Sequence, residues 1–341
     1  MRASTKMTDE LAITAPRFDE QAMTTTLDHS AIIDRFLASH DIKPKSKETY
    51  RRALRQFFVY LEIMGLQQPT RQTLIAYKAY LIDKKLSPYT VSAYIIALRK
   101  LFQWTESEHL YANIASSIKG QKKPKGFKKD ALSVKQARKL LTDMDTDTLT
   151  GARDYALVNL LVRTGLRTIE AERANVEDIR QQGEQAVLYI QGKGRDSKDD
   201  LVILTDETLE PIRAYIAMRG RGVKDNSPLF ISHSDRNYSG RLTTRSISRI
   251  VKDKLTSSGL NDRRLTAHSL RHTAVTFSLI GGATIQEAQT LARHSDINTT
   301  LIYAHNLDRI SKAPELKIDA LLGDTRNLNN VNIVNTKLGV A

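Results

Sequence analysis

The sequence contains no cysteine, which excludes disulfide staples, thiolate metal sites and cysteine nucleophiles together. It has no apolar run approaching the roughly 18 residues of a membrane-spanning helix. Its first residues, MRASTKMTDELAITAPRF, hold no apolar stretch of the kind a secretory leader carries. The expectation is a soluble, cytoplasmic protein with no membrane partner. Acidic side chains are in short supply: 38 Asp and Glu stand against 52 Lys and Arg, a formal net charge of +14. An excess of that size speaks to partners rather than to fold, and it suits a polyanion such as nucleic acid. At 341 residues the chain exceeds what one core usually organises, so two domains are expected.

The charge is unevenly spread. Residues 1–41 carry a net of −3, residues 42–130 a net of +12 and residues 131–341 a net of +5. The basic segment reads as helical. After a tail over 1–27, a first helix begins near Asp28. In SKETYRRALRQFFVYLEIMG, Tyr50, Leu54, Phe57, Phe58 and Leu61 keep helical spacing, with Ser46 as a cap and Gly65 as a stop. TRQTLIAYKAYLIDKK supplies another helix. SPYTVSAYIIALRKLFQW opens a fourth, with Ser87 as cap and Pro88 in its first turn. These make a four-helix domain over 28–117 that carries Arg51, Arg52, Arg55, Arg99 and Lys100 on polar faces. IKGQKKPKGFKKD follows, without apolar periodicity, and reads as a basic linker over 118–131 containing Lys119, Lys122, Lys123 and Lys125. These nine cations are the candidate nucleic-acid contacts, since a basic surface and linker can track a phosphate backbone and release its counterions.

The second domain, expected over 132–325 before a tail at 326–341, mixes helices with a hairpin. A helix starts at Ser133. An apolar helix runs through Leu157, Leu160 and Leu161 to Gly165, with Arg167 just beyond, while Arg163 fits a surface position. EQAVLYIQGKGRDSKDDLVIL alternates as two strands, 186–191 and 201–204. Helices resume at Asp206 and are expected to persist to Tyr303. The fold class is therefore mainly α with a small antiparallel hairpin or sheet.

The stretch TAHSLRHTA sets His268 and His272 four residues apart around Arg271. A zinc pair at that spacing normally reads H-E-x-x-H, and Ser269 stands where the glutamate belongs. An anion site is expected rather than a metal. Downstream, LARHSDINTTLIYAH brings His294 and, nine residues on, Tyr303.

Over roughly residues 30–325 the sequence resembles the tyrosine recombinases of the phage lambda integrase family. Four pieces match in order: TGLRTIE, IQGKG, HSLRH and HSDINTTLIYAH. The resemblance implies a SAM-like helical domain that binds core DNA sites, followed by a catalytic domain. It also implies Arg167 with Glu170 as its orienting partner, Lys193 on the hairpin, His268 and Arg271, then His294 and the nucleophile Tyr303.

The chemistry suits those residue types. A phenol can take over a DNA phosphodiester bond and conserve its energy without ATP. Two guanidiniums match the charge loaded onto the non-bridging phosphate oxygens. A hairpin lysine can protonate the leaving 5′ oxygen. His268, one turn from Arg271, can face the same phosphate and help move the tyrosine proton; His294 can donate to a phosphate oxygen, and His272 reads as structural. Asn298 and the threonines after it read as the cap of the helix bearing Tyr303.

Three departures from the family pattern stand out. The hairpin turn GKGRDSKDD is long and makes Lys198 a rival acid, Asp199 and Asp200 sit where a basic residue is common, and Arg293 replaces a usual glycine. About 30 residues precede the helical domain, too few for a separate arm-binding domain.

The expected function is site-specific strand cleavage and rejoining through a 3′-phosphotyrosine, without metal or cofactor, in the integration and excision of a mobile element. Xer-like chromosome-dimer resolution, a type IB topoisomerase and a non-catalytic DNA-binding regulator are the alternatives. The expected partners are paired double-stranded DNA sites, further copies of the chain in a tetramer, and an accessory DNA-bending or excision factor, all at a prokaryotic nucleoid. Beyond Tyr303, Pro314 opens a short helix whose Leu316, Ala320 and Leu321 form an apolar stripe. The resemblance implies that this helix docks on a neighbouring protomer.

Overall fold

The structure, a computed structural model, describes residues 29–122, 130–192, 194–311 and 314–322. Lys193, Lys123 and Lys125 lie outside the described residues, as do both terminal tails. The chain forms two compact units, one up to Lys125 and one from Gly126, and each has its own apolar core.

The first unit is a bundle of α1 (His29–Ala38), α2 (Pro44–Ile63), α3 (Arg71–Asp83) and α4 (Pro88–Ser107). Its starts follow local chemistry. Thr70 accepts from the amide of Thr73, and Ser87 from that of Thr90, each satisfying a donor the helix leaves orphaned. The start of α2 lies earlier than the sequence suggests: Pro44 occupies the first turn behind Lys43, and Ser46 sits inside the helix. Proline's fixed φ and absent N–H make it a natural first residue. The core is aromatic, with Phe57 against Tyr77 at 5.1 Å and Tyr60 against Tyr77 at 5.0 Å between ring centres.

The second unit is organised by α6 (Leu149–Thr164), buried along almost its whole length, which follows α5 (Val134–Thr142). Ser133 caps α5 through the amide of Gln136. Gly165 ends α6 with φ +63°, a left-handed conformation that glycine adopts without the Cβ penalty. After α7 (Thr168–Arg173) comes an antiparallel sheet of β1 (Ile179–Gln182), β2 (Gln185–Ile190) and β3 (Asp200–Leu204), in that order. Ile179 pairs with Leu188, and Ile190 with Asp200. β1 was not apparent from sequence because IRQQ is a short edge strand without an alternating apolar face.

Helices do not run unbroken from Asp206 to Tyr303. α8 (Asp206–Met218) gives way to a turn-rich stretch held by the bridge between Ile231 and Arg241. Glycines at 220, 222 and 240 and Pro228 punctuate this stretch and explain the interruption. Then come α9 (Thr244–Ser257), α10 (Ala267–Ile280), α11 (Ile285–Ala292), α12 (Ile297–Ser311) and α13 (Pro314–Leu322). The fold is mainly helical with one small antiparallel sheet. Among the described residues no helix is long and apolar enough to cross a membrane.

Candidate active site

Four chain segments converge at the end of α6. Gly165 turns the chain so that Arg167 stands immediately before α7, and a Cβ at Gly165 would meet the Ala274 methyl at 3.3 Å. The carboxylate of Glu170, on α7, is fully buried and accepts both the Arg167 amide and the Arg167 guanidinium, each at 2.8 Å. The expected pairing of Arg167 with Glu170 is present.

α10 supplies the histidine cluster. Ser269, standing where a zinc protease would carry glutamate, accepts from the amide of Thr266 at 3.0 Å and so closes the first turn. His268 is exposed, whereas Arg271 and His272 are buried. Arg271 donates to the carbonyl of Gly165 at 2.7 Å and to that of Ala292. Burial, with Arg167 and Arg293 close by, lowers its pKa to about 10. These two carbonyls anchor one edge of a guanidinium that carries five N–H donors in all.

The segment joining α11 to α12 brings in two more groups. His294 meets the Thr300 hydroxyl at 3.0 Å through Nδ1, and burial followed by Arg271 and Arg167 pushes its pKa down to about 4. Thr300 therefore orients a site histidine rather than capping α12. The capping role falls to Asp296, whose carboxylate accepts from the Asn298 amide at 2.9 Å; Asn298 lies within the helix.

Arg293 takes the left-handed conformation, φ +51°, at the position where the sequence departs from the family's glycine. Its guanidinium turns inward to Glu170 at 3.0 Å and to the Leu291 carbonyl at 2.7 Å. Its Nε is buried without a hydrogen-bond partner. Burial alone would raise the Glu170 pKa, but Arg293 and the bonds from Arg167 outweigh it and hold the carboxyl below its ordinary value. One carboxylate thus serves two arginines, which the sequence did not disclose beyond the unusual residue itself.

Tyr303 lies on α12 and is only 5% exposed. Its phenol oxygen sits 2.5 Å from Nδ1 of His272, and its ring centre lies 6.3 Å from that of His294. Burial raises the phenol pKa to about 12 even though Arg271 opposes it. His272, read from sequence as structural, is therefore the histidine in contact with the phenol. The signal was its spacing: residues four apart share a helix face, and the His268 and His272 rings lie 4.6 Å apart.

Of the two lysine candidates on the hairpin, Lys198 lies among the described residues and Lys193 does not. Lys198 is tied to the buried Asp178 carboxylate at 2.5 Å, and Arg195 pairs with Asp199. Arg163 is exposed and bonds Asn159, as a surface residue would. In the first unit Arg52, Arg55, Arg99, Lys100, Lys119 and Lys122 are exposed, while Arg51 is engaged by Asp34 at 2.7 Å. Arg99 and Lys100 line a cavity of about 320 Å³ together with Gln103 and Asn113.

A phenol set among guanidiniums and imidazoles in a mainly helical, two-unit chain defines a class of enzyme that handles phosphodiesters through tyrosine. The model of the phage integrase family matches residues 130–309, and that of the phage integrase N-terminal SAM-like domain matches residues 33–109; the chain belongs to the phage integrase family and is a tyrosine recombinase, a DNA-breaking and rejoining enzyme.

The chain is similar to tyrosine recombinase XerD of Listeria monocytogenes, 28% identical over 286 residues that cover 81% of this chain and 91% of the relative. It is similar also to XerD of Vibrio vulnificus, 30% identical over 251 residues that cover 72% and 76%. Among solved structures, the fold resembles XerH recombinase bound to a palindromic difH substrate in a post-cleavage complex, with TM-score 0.67, 22% identity and coverage of 84% of this chain and 85% of that one. It also resembles a lambda integrase dimer bound to a core site, with TM-score 0.60, 18% identity and coverage of 79% and 96%.

Proposed function

We propose that the protein recombines paired DNA sites by making Tyr303 the temporary partner of a 3′ phosphate. The observation that carries this reading is the convergence of Tyr303, Arg167, Arg271 and His294, drawn from separate stretches of sequence, within one site. In this reading the phenol oxygen of Tyr303 attacks the scissile phosphorus and the 5′ oxygen leaves. Arg167 and Arg271 take up the charge that develops on the non-bridging oxygens. His268, exposed at the open side of the cluster, and His294 donate to the same phosphate. Lys193 protonates the 5′ oxygen. It is preferred over Lys198, whose ammonium already neutralises a buried carboxylate. The 5′ hydroxyl of a partner strand then attacks the phosphotyrosine and restores a continuous backbone.

The exposed cations of the first unit and of the linker bind the duplex without reading its sequence, through phosphate contacts. Several copies act together on two sites. The described side chains of α13 are all exposed, with Ile318 at 54%, Leu321 at 87% and Leu322 at 67%. An apolar helix end left open in the single chain is suited to a neighbouring copy, in a head-to-tail contact that can close into a ring. The enzyme works at the nucleoid of a prokaryotic cell, on a mobile element that it integrates and excises, with an accessory DNA-bending factor setting the direction. The similarity to XerD relatives supports a second reading, resolution of chromosome dimers. Trapping covalent complexes on genomic fragments and sequencing the attached ends separates the two: element ends in one case, a single chromosomal locus in the other.

The direct test is Tyr303→Phe. It is expected to abolish the covalent protein–DNA adduct while half-site binding stays within a few-fold, because only the phenol oxygen is removed. An adduct formed by the Phe variant contradicts the reading.

A further inference from the structure

We infer that His272, rather than the exposed His268, is the catalytic base that takes the proton from Tyr303. The inference rests on the reading of Tyr303 as nucleophile and adds the destination of its proton. The geometry is direct. Nδ1 of His272 lies 2.5 Å from the phenol oxygen, and the two rings are 5.3 Å apart. Both side chains are buried, at 6% and 5% exposure, so the pair is sheltered from bulk water. His268 projects from the same face of α10 one turn earlier and is exposed, a position suited to meeting a phosphate from outside. With Nδ1 accepting, the neutral imidazole carries its hydrogen on Nε2 and the phenol donates.

The step balances as follows. The O–H bond of Tyr303 breaks and its proton passes to Nδ1 of His272. The phenolate oxygen forms the bond to phosphorus, and the bond from phosphorus to the 5′ oxygen breaks, that oxygen being protonated by the acid on its own side. On rejoining, the incoming 5′ hydroxyl returns its proton to that acid and its oxygen bonds to phosphorus, the bond from phosphorus to the Tyr303 oxygen breaks, and His272 gives its proton back to the phenolate.

The surroundings explain why this transfer waits for DNA. Facing His272 are His268 and Arg271 from its own helix, His294 from the segment before α12, Tyr303 from α12 and Asp130 from the segment before α5. Burial, then His268, Arg271 and His294, hold the imidazole down to about 4, while the phenol stands near 12. Without substrate the proton therefore stays on oxygen, and the nucleophile is quiet. A phosphodiester seated on Arg167 and Arg271 neutralises Arg271, a cation that depresses the imidazole, and sets negative charge beside it. Both effects favour the imidazolium. Docking of the scissile phosphate thus arms the base.

The test is single-turnover cleavage of a nicked half-site substrate by the full-length chain, read as covalent adduct against time. The variants are His272→Gln, His268→Gln and Tyr303→Phe, with half-site binding as the check that each is folded. Glutamine can accept the phenol hydrogen bond but cannot take its proton. His272→Gln is expected to cleave at least about 100-fold more slowly at pH 7. Its rate should then rise close to tenfold per pH unit up to pH 9, because only the ionised fraction of a phenol that titrates near 12 can then attack.

Cleavage by His272→Gln within threefold of wild type overturns the inference, because the residue then only positions the phenol. So does a loss of equal size at every pH, or the steep pH dependence appearing in His268→Gln instead. If His272→Gln fails to bind DNA, His272→Ala carries the test: added imidazole should restore cleavage, and a full rate without imidazole overturns the assignment. An adduct formed by Tyr303→Phe defeats the nucleophile reading itself, whereas an adduct-free Phe variant beside a fast His272→Gln defeats only this inference.

Discussion

At the residue scale, Arg293 is where two rules of protein chemistry conflict. Its backbone is left-handed, which disfavours any residue with a Cβ by about 1–2 kcal/mol. Its side chain is 8% exposed and pairs with a carboxylate that is fully buried. Removing one partner of a buried pair costs roughly 3–5 kcal/mol, and Arg167, still bonded to Glu170, reduces that loss here. The ion pair outweighs the backbone strain, so Arg293→Gly is expected to destabilise the catalytic unit by about 1–3 kcal/mol. Arg293→Ala should be worse by about 1 kcal/mol, since it loses the same pair without the relief glycine brings. Urea unfolding of both variants measures the difference, and equal midpoints would show that the left-handed backbone carries no strain. The position was legible as unusual, because an arginine stands where the resemblance calls for glycine. Its partner was not, because Glu170 lies 123 residues earlier in the chain.

At the scale of elements, α13 is the segment whose role the single chain leaves open. Proline at its start gives it a defined beginning, yet Ile318, Leu321 and Leu322 remain uncovered. The expected outcome of ending the chain after Ser311, which keeps α12 whole, is unchanged binding of one copy to a half-site with loss of cooperative filling of the full site and of strand exchange. A gel-shift titration shows this, and undiminished cooperativity would assign α13 to some other task. The helices themselves were readable because caps and apolar spacing are local: Ser87, Ser133 and Gly165 act where the sequence places them. β1 was not, because an edge strand owes its existence to its pairing with β2 and not to its own pattern; the break after α8 did carry a local signal in Gly220, Gly222, Pro228 and Gly240.

At the scale of the molecule, the buried histidines tie stability to pH. His272 and His294 are each pushed down to about 4 in the folded chain, first by burial and then by neighbouring charged groups, while in the unfolded chain each titrates near 6.5. Between about pH 4 and 6.5 the unfolded state therefore binds more protons, so stability rises with pH through that window and is lost on acidification. The melting temperature of the full chain is expected to fall between pH 7 and pH 5, and to fall less steeply in His272→Gln. Identical slopes in the two proteins would mean that His272 takes up its proton without penalty.

The sequence by itself determined the helical character of the two parts and the basic character of the first, which depend on composition and periodicity that a linear chain carries intact. The site residues Arg167, Glu170, His268, Arg271, His294 and Tyr303 were legible only through the resemblance, from four short motifs in a fixed order. Tertiary structure alone decided how the inventory is wired. His268 and His272 are equivalent by spacing, and only the packing of α12 against α10, across 31 residues of chain, selects His272 as the phenol's neighbour. Glu170 is shared, Arg271 is anchored on two carbonyls, and Lys198 is occupied by Asp178. Apart from the Arg167–Glu170 pair, which is three residues apart, each of these contacts joins residues 20 or more positions apart, and their distances are fixed by the packing of the catalytic unit rather than by any local pattern in the chain.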